Sequence, residues 1–269
     1  MKKQRVLYVS QEITPYLPES EMANTSRYLP QGIQERGREI RTFMPRFGLV
    51  NERRNQLHEV IRLSGMNLII NDSDHPLIIK VASIQSARMQ VYFIDNDDYF
   101  QRKATWKEES GDEFPDNDER AIFFARGVLE TVRKLRWAPD LVHCHGWFTS
   151  VIPLYLKKVF ADDPLFGHAR IVYSVYEDQF KTPLNESFRQ KLIMPGITPE
   201  DTDVIQVPDF INVSRMAVNH SDAIIFGSKK VDPALDAYIR KSGKPFLEFQ
   251  DTDQYIEAYS GFYKDVLGI

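Results

Sequence analysis

Short apolar runs alternate along this chain with longer amphipathic segments, and that alternation limits the possible folds more than any other feature. Val6–Val9 is a short apolar run that suits a buried strand. A polar turn through Pro15 and Pro18 follows. A helix is then expected from Ser20, whose hydroxyl can cap it, to a stop at Gly37. Glu39–Met44 reads as a second strand, closed by Pro45. Strand, helix and strand in this order predict neighbouring parallel strands joined by a helical crossover. The alternation resumes further on. Asn117–Arg136 has helical spacing through Ile122, Phe123, Val128, Leu129, Val132 and Leu135. Asp140–His143, Ala169–Val175 and Ala223–Phe226 read as strands; Trp147–Val159, Asp209–His220 and Pro233–Arg240 read as helices. The expected class is α/β, a parallel sheet flanked by helices.

Three stretches depart from the pattern. Met66–Ile70, Leu77–Ile84 and Gln90–Ile94 are β-rich runs separated by polar turns such as Asn71-Asp72-Ser73-Asp74, so residues 65–94 read as a small β insertion. Residues 95–120 are loop-like and heavily charged; they read as a solvated surface loop, with a binding role as the alternative. Asp251–Leu267 is amphipathic, with Tyr255, Ile256, Tyr259, Phe262, Tyr263, Val266 and Leu267 at the spacing of one helix face. The expected organisation is one domain over 1–250, with 251–269 docking on it as a helix near the first helix and the start of the chain.

Composition narrows the function. With 269 residues, 42% hydrophobic and 27% charged, a packed core is expected. Net charge is −4 and the basic pairs are scattered (Lys2-Lys3, Arg53-Arg54, Lys157-Lys158, Lys229-Lys230), so no nucleic-acid partner is expected. Cys144 is the only cysteine, which fits a reducing cytoplasm. The apolar run after Arg5 is too short for a signal peptide and none approaches membrane-spanning length, so a cytoplasmic location with no membrane partner is expected. No G-x-G-x-x-G, P-loop or G-x-S-x-G sequence occurs, and no cofactor is expected.

Three ordered stretches carry a family signal. The first is Ser10-x-Glu12-x-x-Pro15, then Leu29-Pro30, Glu35-Arg36-Gly37-x-Glu39 and Met44-Pro45-Arg46-Phe47-Gly48. The second is Val91-Tyr92-Phe93-Ile94-Asp95-Asn96 with Tyr99-Phe100, then Asp116-Asn117-x-Glu119-Arg120. The third is Pro139-Asp140-Leu141-Val142-His143-Cys144-His145-Gly146-Trp147, with Pro153 and Tyr155-Leu156-Lys157 after it. Together with Ser221–Ser228, this set resembles the bacterial glycogen (starch) synthases. The resemblance implies the GT-B fold of two facing Rossmann-like domains, of which this chain is expected to be the N-terminal, glucan-holding half standing alone. It also implies the family reaction, a retaining transfer of glucose from ADP-glucose to the non-reducing end of an α-1,4-glucan without a metal.

Against that family the chain departs at its chemistry. The family's Lys-Thr-Gly-Gly-Leu loop, whose lysine meets the donor phosphate, is replaced by Pro18-Glu19-Ser20-Glu21-Met22, and the following aspartate by Asn24. Two carboxylates there should repel a diphosphate, by about 4 kcal/mol per like-charge contact at ~4 Å and an effective dielectric of ~20. Ser20 and Asn24 are candidate substrate-facing residues, although Ser20 and Glu21 equally suit an ordinary helix start. His-Ala-His-Asp-Trp becomes His143-Cys144-His145-Gly146-Trp147, at a strand end where α/β sheets place ligand crevices. By resemblance His145 lies beside the transferred sugar as the candidate catalytic residue, with Trp147 beside it; the alternative is a histidine satisfied by local hydrogen bonds. His143 and His145 share a side of their strand, but no third zinc ligand is evident and no metal is expected. The family's Val-His-Asn becomes Val175-Tyr176-Glu177, where Tyr176 either stacks on a sugar or is an ordinary strand-end aromatic. Cys144 reads as a small buried residue.

Three functions follow. The chain is an accessory or regulatory protein of α-glucan metabolism, inactive alone, binding glucan or a full-length synthase. Alternatively it is a working glucosyltransferase assembled with a separate nucleotide-binding half, or an interaction module without a ligand.

Overall fold

The computed structural model describes residues 3–251 and 254–269. In chain order the elements are β1 (Arg5–Ser10), α1 (Glu21–Glu35), β2 (Glu39–Pro45), β3 (His58–Glu59), β4 (Met66–Ile70), β5 (Ser73–Ile84), β6 (Met89–Asp95), α2 (Asp97–Phe100), α3 (Asn117–Lys134), β7 (Leu141–His145), α4 (Val151–Lys158), β8 (Arg170–Val175), α5 (Phe188–Lys191), α6 (Phe210–His220), β9 (Ala223–Phe226), α7 (Pro233–Lys241), β10 (Phe246–Leu247) and α8 (Tyr255–Leu267).

The strands lie side by side in the order β10-β9-β8-β7-β1-β2-β6-β5-β3, with β4 paired to β5. From β10 to β6 every pair is parallel. From β1 the chain winds outward through β2 to β6, then returns to β7 on the other side and winds away through β8, β9 and β10. The strand order therefore reverses between β1 and β7, the position at which an open α/β sheet leaves a crevice beyond its carboxyl ends.

The β-rich stretch at 65–94 is continuous with this sheet. β6 pairs parallel with β2, and β5 lies antiparallel to β6. The β4–β5 hairpin turns on Asn71 and Asp72, both at positive φ (48° and 61°), residue types that tolerate the left-handed region. Ser73 and Asp74 of the expected turn instead pair with Ile70 and Ile69.

The charged stretch before α3 is tied down from within. Arg120, fully buried in α3, donates to the carbonyl oxygens of Tyr99 (2.8 Å) and Thr105 (2.7 Å) and to Asn117 Oδ1 (2.7 Å). Asn117 Nδ2 donates to the Trp106 carbonyl at 2.7 Å, and Arg102 forms an ion pair with Asp116 at 2.6 Å. Trp106 and Phe114 of this segment are buried, while residues 107–112 between them are exposed, as expected of a solvated loop.

Strand periodicity sorts side chains to the two faces. Leu7, Val9, Val142, Cys144, Ile171 and Tyr173 join the large core with residues of α3, α4 and α6. Val6, Tyr8, Leu141, Val172, Ala223 and Ile225 join a smaller core with Leu29 and Ile33 of α1 and Tyr259, Phe262 and Tyr263 of α8. α8 begins at Tyr255; Thr252 and Asp253, within the expected helical stretch, lie outside the described residues. It approaches α1 closely at Gly32, where a Cβ would lie 2.6 Å from Ile256 Cγ2. Arg36 and Glu257 pair across the same contact at 2.9 Å.

Candidate functional site

The loops leaving β1 and β8, the strands that flank β7 at the reversal of strand order, line an open cavity of about 390 Å³ with the start of α1, residues 105–107 and one residue beyond β9. Gln11 and Glu12 come from beyond β1, Ser20 and Glu21 from the start of α1, and Tyr176, Glu177 and Asp178 from beyond β8. Trp106 and Lys107 come from the segment that Arg120 holds.

Local sequence explains much of the wall. Ser20 accepts from Ala23 N at 2.9 Å, capping α1, and its hydroxyl donates to Glu12 Oε2 at 2.8 Å. The cap thus holds a carboxylate at the crevice. Gly146 sits at φ +83°, a left-handed conformation suited to glycine, and starts a 3₁₀ turn over Trp147–Thr149 that precedes α4. The expected single helix over 147–159 is therefore two pieces. The space a side chain at 146 would fill is taken: its Cβ would lie 2.6 Å from Met22 Cε, 2.9 Å from Asp178 Oδ2 and 3.0 Å from Gln11 Oε1. Asp178 Oδ2 accepts from Trp147 N at 3.1 Å. A carboxylate thus reaches residue 146 from the next strand.

His145 packs behind Tyr176 and Trp147 joins the large core; His145, Tyr176 and Trp147 are 0%, 2% and 1% exposed. His145 Nδ1 and the Tyr176 hydroxyl share a hydrogen bond of 2.8 Å. The Tyr176 ring packs on Gly227, where a Cβ would come within 2.5 Å of ring carbons. Trp147 meets Trp106 edge-on at 6.0 Å and Phe180 at 4.8 Å. Ser20 and Asn24 are partly exposed on α1; Asn24 lines an adjoining cavity beside α8 rather than the crevice. The structure therefore pairs His145 with Tyr176, places Trp147 among Trp106, Phe148 and Phe180, brings Ser20 to the crevice, and leaves Asn24 to one side.

A second histidine extends the polar set inward. His143 Nδ1 bonds to the Tyr263 hydroxyl of α8 (2.6 Å) and its Nε2 to Ser174 Oγ (2.7 Å); its ring centre is 3.8 Å from that of His145. Burial disfavours the charged imidazole of both. It lowers the His145 pKa to about 3 and holds His143 well below the ordinary range, so both rings are neutral at neutral pH. Asp178 moves the other way. Burial, reinforced by the charge of Glu12, raises its pKa to about 7 despite the Trp147 N–H that stabilises the anion. Burial also raises the Cys144 thiol, which leaves it an inert core residue.

Several buried polar atoms at these strand ends have no partner: Ser10 Oγ, Gln11 Nε2, His145 Nε2 and Trp147 Nε1. An unmet buried polar group costs about 1–3 kcal/mol, so each of these four atoms would gain from a hydrogen-bonding partner. Among the described residues, no three His, Cys, Asp or Glu side chains are grouped to hold a metal ion, and no helix is long and apolar enough to cross a membrane. Sequence reasoning did not single out Gln11, Trp106, Lys107 or Asp178. The one signal for the middle pair was aromatic and basic residues inside an otherwise acidic stretch.

Comparison with known proteins agrees with this architecture. The catalytic domain of starch synthase IV from Arabidopsis thaliana, solved with ADP and acarbose, superposes with a TM-score of 0.74 at 17% identity, over 94% of this chain and 53% of that one. The glycogen synthase of Chlorobium limicola is 34% identical over 228 residues, 84% of this chain and 46% of the relative. That of Chlorobaculum tepidum is 32% identical over 266 residues, 93% of this chain and 54% of the relative. The chain spans about half the length of these curated relatives. The family model for the starch synthase catalytic domain matches residues 5–232, and the chain belongs to that family, the glycogen-synthase-like glucosyltransferases.

Proposed function

We propose that this chain holds an uncharged α-glucan at the crevice and does not by itself transfer glucose from a nucleotide sugar, acting as an accessory or regulatory protein of glycogen metabolism. The charge of the crevice carries this reading. Glu12, Glu21 and Glu177 line it, together with Asp178, which its raised pKa of about 7 leaves partly ionised at neutral pH, against Lys107 alone. A diphosphate would meet repulsion of about 4 kcal/mol for each like-charge contact at ~4 Å and an effective dielectric of ~20. Transfer from a nucleotide sugar requires the opposite, a preorganised positive environment for the leaving diphosphate. A glucan carries no charge, and its hydroxyls can accept from Gln11 Nε2 and donate to the carboxylates. Trp106 offers an indole at the cavity wall. On this reading Ser20 acts by holding Glu12, and Tyr176, which lines the cavity, faces the sugar while His145 holds its hydroxyl.

A second reading, an active glucosyltransferase completed by a nucleotide-binding half, draws on the placement of His145 at the reversal of strand order. Two assays on the purified chain decide between them. Incubation with ADP-glucose and glycogen should give no incorporation above a protein-free blank, and glycogen in a native gel should retard the chain. Incorporation would overturn the inactive reading. Equal mobility with and without glycogen would overturn the glucan reading and leave an interaction module.

A further inference from the structure

At the amino-terminal ends of β2 and β6, the end of the sheet opposite the crevice, lies a second cavity of about 610 Å³. Three arginines line it, Arg41, Arg62 and Arg88, and the one carboxylate among its lining residues is Glu39. Both oxygens of Glu39 are already engaged. Arg5 Nε donates to one at 3.2 Å and Trp137 Nε1 to the other at 2.5 Å, and these contacts with the nearby guanidinium charges hold its pKa below the usual value against the opposing effect of burial.

Among the described residues Arg62 and Arg88 have no anionic partner, and Arg41 has only the charge of Glu39, which Arg5 and Trp137 already engage. Arg41 donates to the Tyr92 hydroxyl at 2.6 Å, and its Nε is buried with no partner. Its guanidinium carbon lies 5.7 Å from the centre of the Tyr92 ring and 5.2 Å from that of Trp137, so it is held in place. Arg62 and Arg88 extend exposed side chains to the same cavity with no hydrogen bond or ion pair. Arg88 also stands at φ +50°, closing the turn between β5 and β6 at a position that glycine or asparagine takes with less strain. A protein of net charge −4 thus gathers three arginines around one concavity against a single carboxylate that is already engaged.

We propose that this cavity is an anion site that takes a phosphate group, either free or as a monoester of a small molecule. Guanidinium forks match the oxygens of a phosphate in charge and geometry, and a planar, pre-held Arg41 loses little freedom on binding. This proposal does not depend on the glucan reading, since it uses the other end of the sheet.

Calorimetric titration of the whole chain with inorganic phosphate, at ionic strength held constant with chloride, tests it. Binding should saturate, and the double variant Arg62→Gln/Arg88→Gln should weaken it at least tenfold while melting at the wild-type temperature. Arg41→Gln should weaken it as well. The variant Lys229→Gln/Lys230→Gln, which removes as much charge from the opposite end of the sheet, should bind as the wild type does. A non-saturating response, undiminished binding by the double arginine variant, or an equal loss in the lysine variant would overturn the proposal. Titration with glucose 1-phosphate separates the two sources: tighter binding through the same arginines assigns a monoester, and equal or weaker binding assigns free phosphate.

Discussion

The two faces of this sheet use alternate residues of the same strands and hold together by different physics. Toward α3, α4 and α6, strand β7 presents Val142 and Cys144, and the surrounding core is apolar. Toward α1 and α8 the same strand presents His143 and His145, next to Tyr8 and Ser174 and under Tyr259 and Tyr263. The first face relies on burial of apolar area, which is non-directional and tolerant of small shifts. The second adds to its apolar core the hydroxyl–imidazole pairs of His143 with Tyr263 and Ser174 and of His145 with Tyr176, which fix geometry but are costly when one partner is lost. The contrast shows how a sheet can be a scaffold on one side and a specified polar surface on the other. That polar surface runs outward to the crevice.

The largest test of this contrast is removal of α8. Truncation after Gln250 uncovers Tyr259, Phe262 and Tyr263, each worth roughly 1.5–3 kcal/mol when buried, and orphans His143 Nδ1. Thermal melting should shift further than for any single substitution, with aggregation; an unchanged melting temperature would show that the polar face does not need its cover.

The next effect is one of pH. The folded pKa of Asp178, about 7, lies above the ordinary carboxylate value of about 4. The stability it contributes is therefore complete below about pH 4 and is lost as pH rises through about 7. Relative to Asp178→Asn, wild-type stability should fall by at most about 4 kcal/mol between pH 4 and pH 7. Urea denaturation at the two pH values reads this, and a constant difference would mean that the carboxylate is solvated.

The smallest test removes one hydroxyl from each face. Tyr263→Phe deprives buried His143 of a partner and should cost about 1–3 kcal/mol. On the apolar face the Tyr155 hydroxyl is buried with no partner, so Tyr155→Phe should be neutral or stabilising. Equal costs in denaturant titrations would erase the distinction between the faces.

Local signals in the sequence located the elements well. β4 and β9 have the bounds that their apolar runs suggest, and α1 begins at the Ser20 cap. Two-residue strands such as β3 and β10 carry no pattern of their own and exist because a neighbouring edge accepts them. The crevice was legible only in part. The strand-end motif pointed to His145, but its environment depends on Tyr176, 31 residues away. Residues 107–112 are as solvated as their charge suggests, but the anchoring of the stretch at Tyr99 and Thr105 was hidden, because a buried arginine such as Arg120 looks like an exposed one in a sequence. The convergence of Arg41, Arg62 and Arg88 was hidden for the same reason: residues far apart in the chain are gathered by sheet order, which composition does not record.

Gly146 bears on which substitutions the crevice tolerates. The volume beside it is held by Met22, Gln11 and the carboxylate of Asp178, and its backbone is left-handed. A side chain at 146 must displace the ends of those three side chains and hold a left-handed backbone, so Gly146→Asp should lower stability. Positions 146 and 178 are therefore coupled through one shared volume, and a substitution at 146 should cost less when Asp178 is shortened with it.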